Sequence, residues 1–432
     1  MTVASEFTLE GPAPLRGTIR LPGDKGISHR ALLFAAFAHG ASTITGLADG
    51  DDVARTRAAL EALGVDIDGE TPGPVRVVGR GVDALTEPDR ILDCANSGTT
   101  LRMVVGLLAG RPFHAVLGGD AALTRRPMWR VVEPLRRLGA HVDGRADGHL
   151  PPLAVRGGPL VGRRLELAVP SGQVKTALLL AGLQAAGTTE IVEPAPSRDH
   201  SERMLSALGA PVEQVDAVTV RTRAGAPQPF ELVVPGDPSS AVFFAVAAAV
   251  TPGSEVTLEA LALNPTRVGF VDVLRRMGAT IDAEPRGARL GEPVGDLTVR
   301  AAALTGTVVD VDEGLIDEVP ALAVAAAFAD GVTEFRGVAE LRVKESDRLA
   351  TLERELGALG VGVETGPDRL VVRGGMPAAA TLDSHGDHRI AMAGAVAANA
   401  VAGSSTVRGW SAVAASYPRF ADDLARLTGQ TP

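Results

Sequence analysis

Cationic side chains recur in the short polar turns that precede the apolar helical segments of this sequence. Ordinary connecting turns do not concentrate cations, and the chain as a whole is acidic, with a formal net charge of −10. Each cation alone would be an ordinary solvated charge. Together they favour a multiply anionic ligand, because fixed cations neutralise its charge and donate hydrogen bonds to it. The set consists of Lys25, Arg30, Arg102, Arg126, Arg198, Arg342, Lys344, Arg348 and Arg389.

Hydroxyl and amide side chains lie between these cations. They can bind phosphate or sugar-like hydroxyl groups, although residues of this kind also cap helices. In segment 96–100 the glycine Gly98 would let a ligand approach the backbone closely. The group consists of Ser28, Asn96, Ser97, Thr99, Ser171 and Gln173.

Two carboxylates stand among the cations. Glu345 lies inside the segment 342–348 (RVKESDR), and Asp317 opens an apolar helical segment. A carboxylate beside Lys and Arg is usually an ion-pair partner. The alternative is general acid and base catalysis, since a reaction that moves protons at carbon and at oxygen needs two such groups.

The elements that must position these side chains form a unit that recurs six times. Each copy has a strand, a polar turn, an Ala/Leu-rich helix, a second strand and an amphipathic helix that ends before a Gly, which suits the left-handed position there. The turn places backbone N–H groups at a helix start, which favours an anion. In the first copy we predict the turn over 23–28 and the buried helix over 29–38. Generic α/β units would show the same period. The copies begin near residues 17, 93, 170, 235, 317 and 383.

Size and composition suit a two-domain globular protein. The 432 residues exceed one ordinary core, and 45% are hydrophobic while only 3% are aromatic. The acidic balance argues against nucleic-acid binding. A single cysteine, Cys94, fits a reducing cytoplasm. We expect no signal peptide in residues 1–17, and the apolar segments 241–250 and 321–329 are shorter than the ~20 residues of a membrane span, so we expect buried helices there.

Several segments resemble the signatures of one enzyme family. Residues 21–30 (LPGDKGISHR) resemble the first signature of the 5-enolpyruvylshikimate-3-phosphate synthase family. The likeness runs in order over nearly the whole chain, and two segments are similar to the bacterial subgroup called class II. The later matching segments are 96–102 (NSGTTLR), 126–128 (RPM), 170–175 (PSGQVK), 197–200 (SRDH), 342–348 and 387–389 (DHR).

The resemblance implies an α/β fold, a two-domain inside-out α/β barrel of the enolpyruvyl transferase type with three βαβαββ-like repeats in each domain. It places the first lobe at residues 21–233 and the second at 1–20 with 234–432, with the active site in the cleft between them. The break near 230–235 suggested by the repeats agrees with this division.

The resemblance also implies roles for individual residues. The reaction transfers the enolpyruvyl group of phosphoenolpyruvate to the 5-hydroxyl of shikimate 3-phosphate, by addition and elimination through a tetrahedral adduct. Asp317 takes the hydroxyl proton, Glu345 handles the proton at the methylene carbon, and Lys25 touches both substrates. Shikimate 3-phosphate is held by Lys25, Arg30, Ser171, Gln173, Arg198, Asp317 and Lys344, and phosphoenolpyruvate by Lys25, Gly98, Arg126, Gln173, Arg348 and Arg389.

Glu345 poses a chemical difficulty, because neighbouring cations favour its ionised form and make it a poor acid. We expect the bound anionic substrates to offset those cations. The cations themselves stabilise the developing negative charge, so no metal or cofactor is expected. The expected partners are the two small substrates alone, without nucleic acid or membrane, and the protein is expected to be a monomer.

The sequence departs from the family pattern at three positions. Gly26 replaces a Ser whose hydroxyl normally binds the shikimate moiety; a lost hydrogen bond is worth about 0.5–1.5 kcal/mol, too little to exclude the usual reaction. Gly172 stands where the subgroup generally has Ala. Ala415 stands where many members have Lys.

Three other functions stay open. The related enolpyruvyl transferase for UDP-N-acetylglucosamine carries a cysteine in a loop before Arg-Pro, whereas here Arg125 precedes Arg126 and Pro127. A paralogue acting on another cyclohexene or cyclitol acid is favoured by Gly26. A non-catalytic anion-binding protein would not need both carboxylates. A metal site at His385 and His388 is disfavoured by the Asp and Arg beside them.

Overall fold

The chain divides into two units. The computed structural model describes residues 4–430. Unit I comprises Gly23–Val234 and Ala288–Glu292, and unit II comprises Met1–Pro22, Pro235–Gly287 and Pro293–Pro432. The lobe limits inferred from the sequence stay a prediction, and their ends at residues 1–3 and 431–432 lie outside the described residues.

Short strands alternate with helices along the described chain. The strands are β1 (Glu6–Gly11), β2 (Arg16–Arg20), β3 (His39–Thr45), β4 (Asp66–Asp68), β5 (Pro74–Arg80), β6 (Leu92–Asp93), β7 (His114–Gly118), β8 (His141–Gly144), β9 (Leu150–Arg156), β10 (Arg164–Glu166), β11 (Thr188–Val192), β12 (Val212–Gln214), β13 (Thr219–Arg223), β14 (Glu231–Val233), β15 (Glu255–Ala262), β16 (Thr280–Arg289), β17 (Glu292–Arg300), β18 (Val308–Asp310), β19 (Val332–Arg336), β20 (Gly362–Thr365), β21 (Arg369–Arg373), β22 (Thr381–Asp383) and β23 (Gly403–Arg408).

The helices connect these strands within each unit. They are α1 (Lys25–Phe37), α2 (Asp51–Ala62), α3 (Gly98–Leu108), α4 (Trp129–Leu138), α5 (Arg145–Gly148), α6 (Gly172–Gly182), α7 (His200–Ala207), α8 (Pro238–Val250), α9 (Gly269–Arg276), α10 (Val319–Ala327), α11 (Arg348–Ala358), α12 (His388–Ala400) and α13 (Phe420–Thr428).

One sheet topology repeats in both units. In unit I the strand orders are β14-β3-β5-β4, β6-β7-β9-β8 and β10-β11-β13-β12. In each, the first pair is parallel and the other two pairs are antiparallel. Unit II has β18-β19-β21-β20, β16-β17-β15-β2 and the three-stranded β1-β23-β22. Among the described residues there are thus three sheets in each unit, which matches the repeat expected from the sequence.

The helices that open each repeat are buried because nearly all their residues are small and apolar. In α10 every residue is buried, and in α8 only the last, Val250, is not. Such helices have no polar stripe to turn toward solvent, so they pack inside the unit. The buried helices predicted over 241–250 and 321–329 are confirmed in type, although α10 ends at Ala327 and Val250 is only partly buried.

Side-chain caps set the first residues of these helices. Asp24, Ser97 and Ser171 each accept a hydrogen bond from the backbone amide three residues later, at 2.7, 3.1 and 3.4 Å. The cap at Asp24 starts α1 at Lys25, so the prediction of a turn through residue 28 was wrong. Lys25 therefore lies in the first turn of a helix.

Among the described residues, no helix combines the length and the apolar character that crossing a membrane requires.

Cys94 is buried beside the start of α3, and burial raises the pKa of its thiol to about 12. Because the thiolate is the reactive form, we expect iodoacetamide at pH 8 to leave native Cys94 unmodified and to alkylate it after unfolding in urea. Mass spectrometry of intact protein measures this. Rapid labelling of the native chain would contradict the described burial.

Candidate active site

Lys25 presents its ammonium group at the start of α1 in unit I. Its Nζ lies 3.1 Å from Oδ2 of Asp52 in α2, and the two side chains are 22% and 18% exposed. The ammonium group therefore pairs with Asp52 and is still partly exposed.

The side-chain amide of Gln173 links the starts of α3 and α6. Arg102 Nη1 donates to Gln173 Oε1 at 2.6 Å, and Gln173 Nε2 donates to Thr99 Oγ1 at 2.9 Å. Arg102 also donates from Nη2 to the carbonyl of Pro127 at 3.2 Å. Because both ends of the amide have partners, its orientation is fixed.

Gly98 lies against two guanidinium groups. A Cβ at this position would lie 3.0 Å from Arg102 Nη1 and 3.2 Å from Arg126 Nη1. Arg126 Nη1 donates to the carbonyl of Asn96 at 3.4 Å. The turn 96–98 and both arginines thus meet at one place, where only glycine leaves the guanidinium groups undisturbed.

Ser171 and Arg198 are neighbours at the start of α6. A Cβ on Gly172, the residue after Ser171, would lie 3.0 Å from the carbonyl oxygen of Arg198 and 3.1 Å from its Cβ. The glycine at 172, a departure from the family pattern, therefore allows a close approach between these two segments.

Arg30 is buried, and its donors point to protein groups. Its guanidinium donates to Ser201 Oγ (2.7 Å), to Thr176 Oγ1 (2.8 Å), and to the carbonyls of Gly26 (2.9 Å) and Gly172 (3.1 Å). Burial lowers its pKa to about 10, with nearby carboxylates acting in the opposite direction, so the group stays cationic at neutral pH. A role for Arg30 in substrate binding stays a prediction.

Gly26 gives Arg30 room to bind back onto α1. A Cβ at position 26 would lie 3.2 Å from Arg30 Nη1 and 3.2 Å from Asp24 Oδ1. A side chain at position 26 would therefore make a tight contact with one of these groups. The change from Ser to Gly thus affects the local packing as well as removing a hydroxyl.

A buried chain of hydrogen bonds runs from His29 to the cap of α3. His29 Nδ1 lies 2.7 Å from Thr56 Oγ1, which lies 2.8 Å from Thr100 Oγ1, and Thr100 Oγ1 lies 2.8 Å from Ser97 Oγ. Burial lowers the pKa of His29 to about 3, partly offset by Asp52. His29 is therefore neutral in the folded protein.

This neutral histidine makes stability depend on pH. Unfolded His29 has a pKa near 6.5. The contribution of neutral His29 to the free energy of unfolding is therefore full above pH 6.5, and it falls by about 1.4 kcal/mol per pH unit as the pH drops toward 3. In urea unfolding, the stability difference between wild type and His29→Gln should shrink between pH 6.5 and 4.5. His141→Gln, at an exposed histidine, serves as the control. A constant difference would contradict a neutral, buried His29.

Asp317 lies among three cations in unit II. Its Oδ1 is 3.6 Å from Lys344 Nζ and 3.4 Å from Arg348 Nη1, and its Oδ2 is 3.8 Å from Arg389 Nη2. Arg389 also donates to the backbone carbonyl of Asp317 at 2.8 Å. The carboxylate is 18% exposed, so it can reach a ligand.

Arg348 binds three carboxylates at the start of α11. It donates to Asp387 Oδ2 (2.7 Å) and to Glu345 Oε2 (2.6 Å), in addition to its contact with Asp317. Burial alone would lower its pKa, but these three carboxylates outweigh burial and raise the pKa well above the usual range. The Glu345 side chain is thus 19% exposed, and its carboxylate is bound to a buried cation.

Asp387 lies in the matching segment 387–389 but was not among the predicted catalytic and substrate-binding residues. Its Oδ1 caps α12 by accepting from the backbone amide of Arg389 at 2.9 Å, and its Oδ2 accepts from Ser346 Oγ at 3.2 Å as well as from Arg348. Burial would raise its pKa, but Arg348 outweighs burial and lowers it. The sequence signal was an Asp immediately before a buried helix, the usual place of a cap.

His385 lies near a carboxylate, with its Nε2 2.9 Å from Glu355 Oε1. Within residues 4–430, no group of three His, Cys, Asp or Glu side chains is arranged to hold a metal ion.

The predicted residues fall into two sets, one in each unit, and their roles stay a prediction. Unit I holds Lys25, Gly98, Arg126, Ser171, Gln173, Arg198 and Arg30, and unit II holds Asp317, Lys344, Glu345, Arg348 and Arg389.

The fold is that of the two-domain enolpyruvyl transferases. The structure of EPSP synthase from Acinetobacter baumannii matches with a TM-score of 0.87 at 38% identity, covering 98% of each chain. The enolpyruvyl transferase NikO from Streptomyces tendae matches with a TM-score of 0.79 over 97% of this chain and 96% of that chain; at 20% identity this likeness supports the fold alone. The predicted fold class is confirmed.

Sequence comparison defines the family. The family described as EPSP synthase (3-phosphoshikimate 1-carboxyvinyltransferase) matches residues 9–424. A 3-phosphoshikimate 1-carboxyvinyltransferase of a Synechococcus species is 51% identical over 437 residues, covering 99% of each chain. One from Thermus thermophilus is 50% identical over 427 residues, covering 98% of each chain. The chain belongs to the EPSP synthase family, and the family predicted from its motifs is confirmed.

Proposed function

We propose that this chain transfers the enolpyruvyl group of phosphoenolpyruvate to the 5-hydroxyl of shikimate 3-phosphate and releases phosphate. Membership of the EPSP synthase family supports this activity. The single structural observation that carries it is the pair of partly exposed carboxylates, Asp317 and Glu345, both bound to the buried cation Arg348. An anion-binding protein would need the cations but not two carboxylates among them.

The substrate-binding roles are part of this proposal. The acceptor is bound by cations that match its phosphate and carboxylate, and by polar groups that match its hydroxyls. Shikimate 3-phosphate is assigned to Lys25, Arg30, Ser171, Gln173, Arg198, Asp317 and Lys344, and phosphoenolpyruvate to Lys25, Gly98, Arg126, Gln173, Arg348 and Arg389.

The proposed chemistry has two stages. In the addition, Asp317 accepts the proton of the 5-hydroxyl as its oxygen bonds to C2 of phosphoenolpyruvate, while Glu345 gives a proton to C3. The adduct has a methyl group and keeps the phosphate. In the elimination, the bond between C2 and the phosphate oxygen breaks, Glu345 regains a proton from the methyl group, and the departing phosphate takes up the proton held by Asp317, which restores both carboxyl groups. Two positioned proton carriers of this kind typically contribute 10²–10⁴-fold each.

Charge compensation makes Glu345 usable as an acid. In the free protein its carboxylate accepts a 2.6 Å hydrogen bond from Arg348, which stabilises the ionised form. When phosphoenolpyruvate binds Arg348 and Arg389, its negative charges offset those cations. Protonation of Glu345 then becomes less costly at the stage where the proton is needed.

Phosphate release tests the assignment. Purified protein should release inorganic phosphate only when shikimate 3-phosphate and phosphoenolpyruvate are both present. Release that depends on phosphoenolpyruvate and another cyclohexene or cyclitol acid, with none from shikimate 3-phosphate, would move the assignment to a paralogous reaction, the alternative that Gly26 favours. Binding of both anions without release would indicate a non-catalytic protein.

Gly98→Ala should raise the KM for phosphoenolpyruvate about tenfold, because the added methyl group displaces the guanidinium groups of Arg102 and Arg126 and weakens a hydrogen bond to the ligand. The KM for shikimate 3-phosphate should change much less. Gly158→Ala, with open space around its Cβ, is the matched control in the same unit. Equal rises in both KM values would contradict the assignment of Gly98 to phosphoenolpyruvate binding.

A monomeric state and a cytoplasmic location complete the proposal. The presence of one cysteine, Cys94, in 432 residues supports the location. Sedimentation equilibrium and cell fractionation test the two statements separately.

A further inference from the structure

Glu193 is a buried carboxylate that joins two segments of the proposed acceptor site. It follows β11 and is 3% exposed. Its Oε1 accepts from the backbone N–H of Ser171 at 2.8 Å, and its Oε2 accepts from Ser197 Oγ at 2.8 Å and from Lys175 Nζ at 2.6 Å. One carboxylate therefore binds the first turn of α6 and the turn before α7.

The two segments bound by Glu193 are the ones that present Ser171 and Arg198. They also touch directly, since a Cβ on Gly172 would lie 3.0 Å from the carbonyl oxygen of Arg198. Both oxygens of the carboxylate already accept hydrogen bonds from Ser171, Ser197 and Lys175. Glu193 is therefore placed to affect binding by fixing the distance and orientation of Ser171 relative to Arg198.

Lys175 is a buried cation that pairs with both Glu193 and Glu202. Its Nζ lies between Glu193 Oε2 and Glu202 Oε1, at 2.6 and 2.7 Å, and all three side chains are buried. Burial would lower the pKa of Lys175, but Glu202 and Glu193 outweigh burial and raise it. With two carboxylates on one ammonium group, removal of one negative charge leaves the pair of Lys175 and Glu202 balanced.

We propose that Glu193 is a positioning residue for acceptor binding, which holds Ser171 and the Ser197–Arg198 turn in the geometry that binds the phosphate of the acceptor. The proposal rests on the proposed function. Because both Glu193 oxygens are bound to protein donors, its effect should appear in the binding of one substrate and not in the chemical steps.

Glu193→Gln tests this with little change in volume. A glutamine has one acceptor oxygen in place of two, and its NH2 group cannot accept from the backbone N–H of Ser171 or from Lys175 Nζ, which only donate. At least one of these two contacts to α6 is therefore lost, whereas the Ser197 hydroxyl can turn to accept from the amide. We expect the KM for shikimate 3-phosphate to rise about tenfold, with kcat and the KM for phosphoenolpyruvate within about twofold of wild type, since the loss of one buried hydrogen bond is worth up to about that factor.

The matched control lies on β11, the strand that immediately precedes Glu193. Glu190 in β11 forms ion pairs with Arg164 and Arg221 on exposed side chains, away from Ser171. Glu190→Gln removes a surface carboxylate by the same substitution, and both KM values should stay at wild-type levels. A general effect of weakening β11 would appear in both variants.

Ser197→Ala is a second variant with a milder expected effect. It removes only the hydroxyl contact to Glu193 Oε2 and leaves the contact to Ser171. It should raise the KM for shikimate 3-phosphate less than Glu193→Gln does, again without a change for phosphoenolpyruvate. If Glu193→Gln does not fold, this variant decides the question.

Three results would overturn the inference: an unchanged KM for shikimate 3-phosphate in both variants, equal rises in both KM values, or a loss of kcat that follows the loss of folded protein. Each would make Glu193 a core residue only. Failure of the proposed function is recognised separately, because wild-type protein would then show no turnover with the two substrates.

Discussion

Replacement of Glu345 by Gln is expected to lower kcat by about 10²–10⁴-fold while the protein stays folded. The amide keeps the size of the side chain, but it cannot carry a proton to C3 of phosphoenolpyruvate and back. Because Glu345 is 19% exposed and has a buried partner in Arg348, the variant loses one ion pair without opening a cavity. Steady-state phosphate release with both substrates at saturation measures the effect.

A matched substitution on α11 controls for general damage. Glu353 is exposed on the same helix and accepts a hydrogen bond from Thr365 at 2.7 Å, away from Asp317. Glu353→Gln should retain wild-type kcat. If Glu345→Gln also turned over at a near-normal rate, Glu345 could not be the group that moves the proton at carbon.

Arg348→Met is expected to destabilise the protein by about 3–5 kcal/mol and to abolish turnover. Arg348 is 1% exposed, and its removal leaves Asp387, Glu345 and Asp317 close together without the cation that offsets them. Breaking a buried ion pair by removing one partner typically costs this much, because the remaining charge stays desolvated. Urea unfolding at pH 7.5 measures the loss.

The pH dependence of this loss identifies its electrostatic cause. In wild type, Arg348 lowers the pKa of Asp387 below the ordinary Asp value of 3.8. The contribution of this ion pair to the free energy of unfolding is therefore full above pH 3.8 and is lost as the pH falls below that value. In the variant the carboxylates can take up protons at higher pH. The stability difference should therefore shrink toward pH 4. Arg354→Met, on the exposed side of α11, should cost little at any pH. A loss below about 1 kcal/mol for Arg348→Met would match a surface pair and contradict the described burial.

The repeat and the buried helices were predictable because they rest on local pattern. All-apolar, Ala-rich segments between polar turns have one stable placement, inside a unit, and the α8 and α10 helices lie there. The cap at Asp24 was also a local signal. The error over residues 23–28 came from treating the whole polar run as a turn, although Asp24 was placed to start the helix at Lys25.

Partners that are distant in sequence were not predictable in the same way. In the sequence, Arg30 looks like one more exposed cation. In the structure it is buried, and it donates to four acceptors from three helices. Glu292 is the first residue of β17, whose other residues belong to unit II, yet it is fully buried in unit I with its Oε1 2.7 Å from His200 Nδ1. Such contacts depend on how the elements pack, which the period of a sequence does not specify.

The same difference between local pattern and distant contacts applies to Asp317 and Glu345. Their residue types and the cations nearby were visible in the sequence. Their common partner, Arg348, and its second anchor at Asp387 became visible only when α11 and α12 were placed beside each other.

The most direct test of enolpyruvyl transfer is the structure of the product formed in D2O. Shikimate 3-phosphate and 13C-labelled phosphoenolpyruvate are incubated with the protein, and the product is analysed by NMR and mass spectrometry. We expect one vinyl ether at the 5-oxygen for each phosphate released, with deuterium in its methylene group because C3 passes through a methyl stage. Phosphate release with no vinyl ether, or a vinyl ether without deuterium, would contradict the addition and elimination assigned to Asp317 and Glu345.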